Sequence, residues 1–181
     1  RAVYVNHYLG RPAPLAAIRR ICDDKGLILI EDCAHACGGR IGEVNLGSFG
    51  DISIFSYRKF LPIPDGGGLL VNDPSLSMPE PLPKSPMLRT FRGVLKLWMM
   101  CLARHGLIPL VWWKSVRNRI DDYLRVDDSI DSVAWESPLG MSDFSRRLLL
   151  RVDLAAIVEK RRENYRFWME KLKDFAGTEP L

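Results

Sequence analysis

The 181-residue chain reads as an α/β protein built on an open sheet. Three observations lead there. AVYVNHY and LILIED flank a helical stretch, which makes strand, helix and strand in about 30 residues, the length of a βαβ unit. LILIED has no polar alternation, as in a sheet covered on both faces. Glycine and proline clusters then punctuate further short apolar runs.

AVYVNHY is short, apolar and β-branched, so a buried strand is expected. In RPAPLAAIRRICDDKG, Leu15, Ile18, Ile21 and Cys22 recur at helical spacing. Pro12 and Pro14 stand near its start, and Gly26 stands where a C-terminal cap belongs. LILIED is the second strand, reached by a right-handed crossover. RIGEVNLGSFGD is expected to turn back on itself, and DISIF to form a third strand. SYRKFLPIPDGGG reads as a loop, LLVND as a fourth strand, and PSLSMPEPLPKSP as a linker. Two apolar, basic helical segments follow, MLRTFRGVLKLWMMCLARHG and LIPLVWWKSVRNRIDDYL. Residues 142–175 carry a charged helical pattern. The divisions expected are 1–82, part of a large domain; 83–134, a helical insertion; and 135–181, a long helix leading toward a further domain.

Hydrophobic content of 47% and charged content of 27% suit a globular chain with a sizeable core. The chain starts at Arg1 and stops soon after a helical run, which reads as an internal piece of a longer protein. No run of about 18 apolar residues would span a membrane. Lys84 to Arg119 holds eight Lys or Arg and no acid. It lacks any nucleic-acid motif, so a solvated or subunit-facing surface is the reading, with Trp and Met packed on the body or on a partner subunit. A flat position at a membrane surface stays open as an alternative.

EDCAHACGG places Cys33, His35 and Cys37 two residues apart. As an extended segment it would separate the cysteines by about 13 Å, too far for one ion. As a helix it would turn His35 away from both. A tight loop could rescue the site, but Cys22, Cys101, His7 and His105 stand alone in the sequence, so no metal is expected. CxxxC is one residue longer than the CxxC redox motif. The four cysteines read as free thiols in a reducing compartment.

Ligands in an open α/β sheet bind beyond the carboxyl ends of its strands. Asp32 follows LILIE, Ser56 follows DISIF, and Lys59 and a flexible glycine loop, Gly66 to Gly68, come next. A carboxylate, a hydroxyl and a lysine in one place would suit pyridoxal phosphate, which needs a lysine attachment, a carboxylate partner for its ring nitrogen and donors for its phosphate.

The order of these motifs resembles the DegT/DnrJ/EryC1/StrS family of pyridoxal-phosphate sugar aminotransferases. VNHYLGRPAPLAAI is similar to the family's V-H-x-x-G strand and helix. LILIEDCAHACGGRIGEVNLGSFGDISIFS resembles its I-E-D-x-A-[HQ]-A-x-G through G-S-x-G-D to F-S pattern, and KFLPIPDGGGLLVND its K-N-x-x-x-x-E-G-G-x-x-x-T-N-D segment. The resemblance covers residues 3–73 and resumes weakly over 141–172. It implies part of a fold-type-I large domain and a homodimer. Lys59 then matches the lysine that holds the cofactor and moves the substrate proton. Asp32 matches the carboxylate that pairs with the ring nitrogen, His35 a residue touching the ring, and Ser56 a phosphate contact. The implied reaction is amino transfer from glutamate to a keto sugar, generally nucleotide-linked, in the cytoplasm, for surface-polysaccharide or secondary-metabolite sugars. In related sugar dehydratases a histidine replaces the lysine, so Lys59 favours transamination.

Three departures stand out. Ser56 and Lys59 are three residues apart where the family has five, removing up to about 7 Å of reach and inviting help from Arg58. Asp65 replaces the usual Glu. The family's cross-subunit Asn and Arg align with Pro138 and Gly140. These departures leave a non-catalytic regulatory or scaffolding member of the family as the alternative.

Overall fold

The computed structural model describes residues 1–107 and 139–173. They fall into two compact units, Arg1–Leu150 and Arg151–Leu181. In the first, β1 (Ala2–Asn6), β2 (Ile28–Asp32), β5 (Ile52–Phe55) and β6 (Gly68–Val71) form a four-stranded sheet in that spatial order. β1, β2 and β5 run parallel, and β6 returns antiparallel to β5. The RIGEVN turn forms a small hairpin of β3 (Arg40–Ile41) and β4 (Val44–Asn45).

α1 (Leu15–Lys25) links β1 to β2. Gly26 ends it at φ 59°, a left-handed conformation that glycine adopts without a Cβ penalty. Leu15 and Cys22 lie on one face of α1 and are buried against Val5, Leu29 and Cys33. Ile21 falls outside that stripe and is exposed.

β1 differs from its expected burial. Tyr4 is 57% exposed and only Val5 is buried. β1 ends the described sheet, and only one of its faces meets α1. SYRKFLPIP also contains an unexpected element, the single helical turn α2 (Tyr57–Phe60), which carries Lys59. Beyond the linker, α3 (Met87–Arg104) forms as expected, but Met87, Trp98 and Met100 are exposed. The second basic segment, from Leu107 to Leu124, lies outside the described residues except for Leu107. The charged C-terminal pattern resolves into two helices, α4 (Asp143–Leu149) and α5 (Leu154–Leu172), capped by Ser142 and Asp153. α5 forms the second unit, and no described helix is long and apolar enough to cross a membrane.

Period-two alternation gives the sheet two distinct faces. Val3, Val5, Leu29 and Glu31 belong to the α1 side, in register Val3↔Leu29 and Val5↔Glu31. Tyr4, Asn6, Ile30 and Asp32 belong to the other side, in register Tyr4↔Ile30 and Asn6↔Asp32.

Glu31 is fully buried, and its carboxylate is saturated with donors. Oε2 accepts from the Gly47 amide at 3.0 Å and pairs with His7 Nε2 at 3.1 Å. Oε1 accepts from the amides of Phe49, at 2.7 Å, and Gly50. The Ala13 amide donates to His7 Nδ1, so the ring proton lies on Nε2 and points at Glu31. Hydrogen bonds to a charged group contribute about 1.5–3 kcal/mol each. Glu31→Ala strands three loop amides and the buried imidazole. A loss of about 3 kcal/mol or more is expected in urea unfolding of the full-length protein. A loss below about 1 kcal/mol would show that the loop does not depend on Glu31.

Candidate active site

Asp32 closes β2 at its carboxyl end and is 8% exposed. Tyr4 Oη and Asn6 Nδ2 each donate to its Oδ2 at 2.6 Å, and the Ala34 amide donates to Oδ1 at 2.9 Å. Burial pushes the carboxyl up. The Tyr4, Ala34 and Asn6 hydrogen bonds and the positive charge of Lys59 more than reverse this, so it titrates below the ordinary aspartate range. Burial of the Tyr4 hydroxyl, then its bond to Asp32 and that negative charge, push the phenol up to about 12.

Lys59 reaches the same place from α2. Its Nζ lies 3.2 Å from His35 Nε2, and its charge is felt at Asp32. His35 lies in the turn after β2. The Leu9 amide donates to its Nδ1 over a long 3.4 Å, and the Tyr8 ring lies 5.8 Å from its own, centroid to centroid. Leu9 adopts φ 52°, a region that bulky residues rarely occupy and that costs of order 1–3 kcal/mol. That strained residue carries the amide aimed at His35.

Ser56 precedes α2, its hydroxyl makes no capping hydrogen bond, and its carbonyl accepts from the Lys59 amide at 3.2 Å. Asp32 pairs with Ile54 across the parallel β2–β5 ladder, which puts Asp32 and Ser56 at one edge of the sheet. Arg58 is exposed. Three of the four expected site residues, Asp32, His35 and Lys59, are thus linked by contact or charge, and Ser56 joins them through the backbone of α2.

Asp65 Oδ1 accepts from the Ser142 amide at 3.1 Å and from its hydroxyl at 2.9 Å. Asp65 Oδ2 is buried without a partner among the described residues. Pro138 lies outside the described residues. Gly140 donates its amide to the Pro83 carbonyl at 2.7 Å. Tyr4, Asn6, Leu9 and Ser142 were not legible as site neighbours in the sequence.

After Glu31 and Asp32, which end β2, the EDCAHACGG segment is neither extended nor helical. Its amides fold back in successive turns, Ala36 to the Cys33 carbonyl and Gly39 to that of Ala36. His7, which stands alone in the sequence, does not stand alone in space. Its ring, the Glu31 carboxylate and the Cys33 sulfur bring ligand atoms within 4.8 Å of one another. Both His7 nitrogens and both Glu31 oxygens already hold partners. Burial, then the negative charges of Glu31 and Asp32 and the neighbouring Cys37, push the Cys33 thiol up to about 12. These groups therefore act as packing and hydrogen-bonding elements.

Residues 1–80 match the model of the DegT/DnrJ/EryC1/StrS aminotransferase family. Over this region the chain is similar to that family. It is 39% identical over 74 residues to GDP-perosamine synthase of Vibrio cholerae, a match covering 40% of this chain and 20% of that protein. It is 39% identical over 79 residues to dTDP-4-dehydro-2,3,6-trideoxy-D-glucose 4-aminotransferase of Saccharopolyspora spinosa, covering 42% and 20%. These matches span about a fifth of each relative's length. The crystal structure of 3-amino-5-hydroxybenzoic acid synthase covers 97% of this chain and 38% of its own at TM-score 0.51 and 20% identity, a likeness of fold alone. The fold agrees with part of a fold-type-I large domain.

The family's site chemistry leaves the cysteines aside, and the structure predicts their reactivity. With iodoacetamide at pH 8, exposed Cys101 is expected to alkylate while Cys33 stays unmodified in the folded protein. Peptide mapping reads the outcome, and early modification of Cys33 would contradict its burial.

Proposed function

We propose that the full-length protein is a pyridoxal-phosphate-dependent aminotransferase acting on a keto sugar, generally nucleotide-linked, with glutamate as amino donor. We place it in the cytoplasm as a homodimer, serving surface-polysaccharide or secondary-metabolite sugar biosynthesis. One observation carries the reading. At the carboxyl edge of a parallel sheet, a buried, ionised Asp32 feels the charge of Lys59, whose amine contacts His35. The sugar-aminotransferase names of the relatives support the substrate class.

The residues present fit the cofactor. Asp32 offers an anion for a ring nitrogen, Lys59 a primary amine for a carbonyl, and Ser56 an uncapped hydroxyl for a phosphate. Bound there, pyridoxal phosphate supplies an electron sink for the substrate's amine-bearing carbon. Asp32 holds the proton on the ring nitrogen by its negative charge. Lys59 anchors the cofactor and, once released, carries the proton to and from the reacting carbon through Nζ. His35 positions Lys59 across the 3.2 Å contact. Ser56 stands at the N-terminal end of the single turn that carries Lys59, so helical winding takes up the short spacing between them. Arg58 is assigned to phosphate as a second donor.

Borohydride reduction of the full-length protein with pyridoxal phosphate, followed by peptide mapping, tests this. A pyridoxyl group is expected on Lys59, and Lys59→Ala is expected to lose the label and lower transamination by at least about a thousandfold. Labelling elsewhere, or none, would replace this reading with a non-catalytic role. Unchanged cofactor affinity in Arg58→Ala would remove Arg58 from phosphate binding.

A further inference from the structure

We infer that Tyr4 and Asn6 are positioning residues for Asp32, holding its carboxylate by one oxygen so that the other remains the acceptor for a bound cofactor's ring nitrogen. This rests on the proposed function above and concerns residues that the family match and the relatives' names leave unassigned.

The argument starts from strand geometry. β1 and β2 pair in parallel with Asn6 opposite Asp32. Residues two apart share a face, so Tyr4 and Asn6 stand on the side of the sheet where Asp32 points. Both reach the same oxygen. Tyr4 Oη and Asn6 Nδ2 lie 2.6 Å from Oδ2, in the range of short, charge-assisted bonds. Oδ1 accepts from the Ala34 amide at 2.9 Å.

A carboxylate offers about four lone-pair sites, two on each oxygen. Tyr4 and Asn6 fill both on Oδ2, and Ala34 fills one on Oδ1. The remaining site lies on Oδ1. Three donors, two from β1 and one from the turn after β2, also stop the carboxylate rotating about its Cβ–Cγ bond. Asp32 is therefore presented in one orientation with one free acceptor position. Tyr4 is exposed over much of its surface, and Asn6 is exposed, so neither is needed to fill the core beneath α1. Their polar ends serve Asp32.

The titratable groups facing Asp32 are Tyr4 from β1, Lys59 from α2 and Cys33 beside it. The depressed carboxyl means that ionised Asp32 favours the folded site above the ordinary aspartate range. That contribution is lost as pH falls through the folded value. Removing a donor raises the folded value and narrows the window from the acid side.

The test uses the full-length protein, wild type and the Tyr4→Phe and Asn6→Ala variants. Carboxyl-carbon NMR of the cofactor-free protein follows Asp32 through its acid titration. Each variant is expected to move the midpoint up by about one pH unit. Pyridoxal phosphate affinity at pH 7, read from visible absorbance, is expected to fall about tenfold while the cofactor-free melting temperature stays within about 2 °C of wild type. An unmoved midpoint overturns the inference. So does a shifted midpoint with unchanged affinity, or a melting-temperature loss that accounts for all the weakening. Wild-type protein that takes up no pyridoxal phosphate overturns both the positioning role and the proposed function. Wild-type uptake at Lys59 with unaffected variants overturns only the positioning role.

Discussion

The buried Glu31 carboxylate ties together parts of the chain that are far apart in sequence. From near the end of β2, it fastens His7 after β1 and the amides of Gly47, Phe49 and Gly50. That loop leads directly into β5, and β5 leads into the turn that carries Lys59. The position of Lys59 relative to Asp32 therefore depends on how the loop is held. A buried carboxylate is costly unless its lone pairs are filled. Here backbone amides and a neutral imidazole fill them, so the cost of desolvation becomes a constraint on loop conformation. Asn72 reinforces the loop from the far side, donating to the Gly47 and Gly50 carbonyls at 2.8 Å each.

Glu31 and Asp32 are neighbours with opposite tasks, and strand periodicity separates them. Glu31 faces α1 and is spent on structure. Asp32 faces the other side, where its depressed carboxyl keeps a negative charge available beside Lys59. A one-residue register slip would exchange them, leaving the site without its anion and the loop without its anchor. The parallel ladder prevents this through Val5↔Glu31 and Asn6↔Asp32, which seat each carboxylate among its own donors.

The readable parts of the sequence were those with local signals. α1 carries an apolar stripe and a glycine cap, and β2 and β5 are continuous apolar runs, so their places follow from composition and spacing. Asp32, His35, Ser56 and Lys59 were singled out because ordered motifs carry them, and the fold links Asp32, His35 and Lys59 by contact or charge. Tyr4 and Asn6 were not, because their role exists only once the β1–β2 register is known. His7 looked solitary for the same reason, its partner Glu31 being 24 positions away. Asp65 and Ser142 are 77 positions apart, beyond any periodicity. β1 was read as buried because its residues are apolar, but its place at the end of the described sheet decides its exposure.

The glycine run after Asp65 reads from sequence as a flexible loop, and packing gives it a different meaning. A Cβ on Gly67 would lie 2.6 Å from the Phe55 carbonyl oxygen, and one on Gly68 would lie 2.5 Å from the Tyr57 hydroxyl. The first clash is with backbone and cannot be relieved by a rotamer. β6 thus begins pressed against the end of β5 and the start of α2, which fold back on each other within three residues of Ser56. Winding those residues into a helical turn, at about 1.5 Å rise each, brings Lys59 close to the strand end that an extended chain would overshoot. The returning strand must then pass close by, and only residues without side chains fit. Tight closure around Lys59, rather than loop mobility, is the physical reason for glycine at these positions.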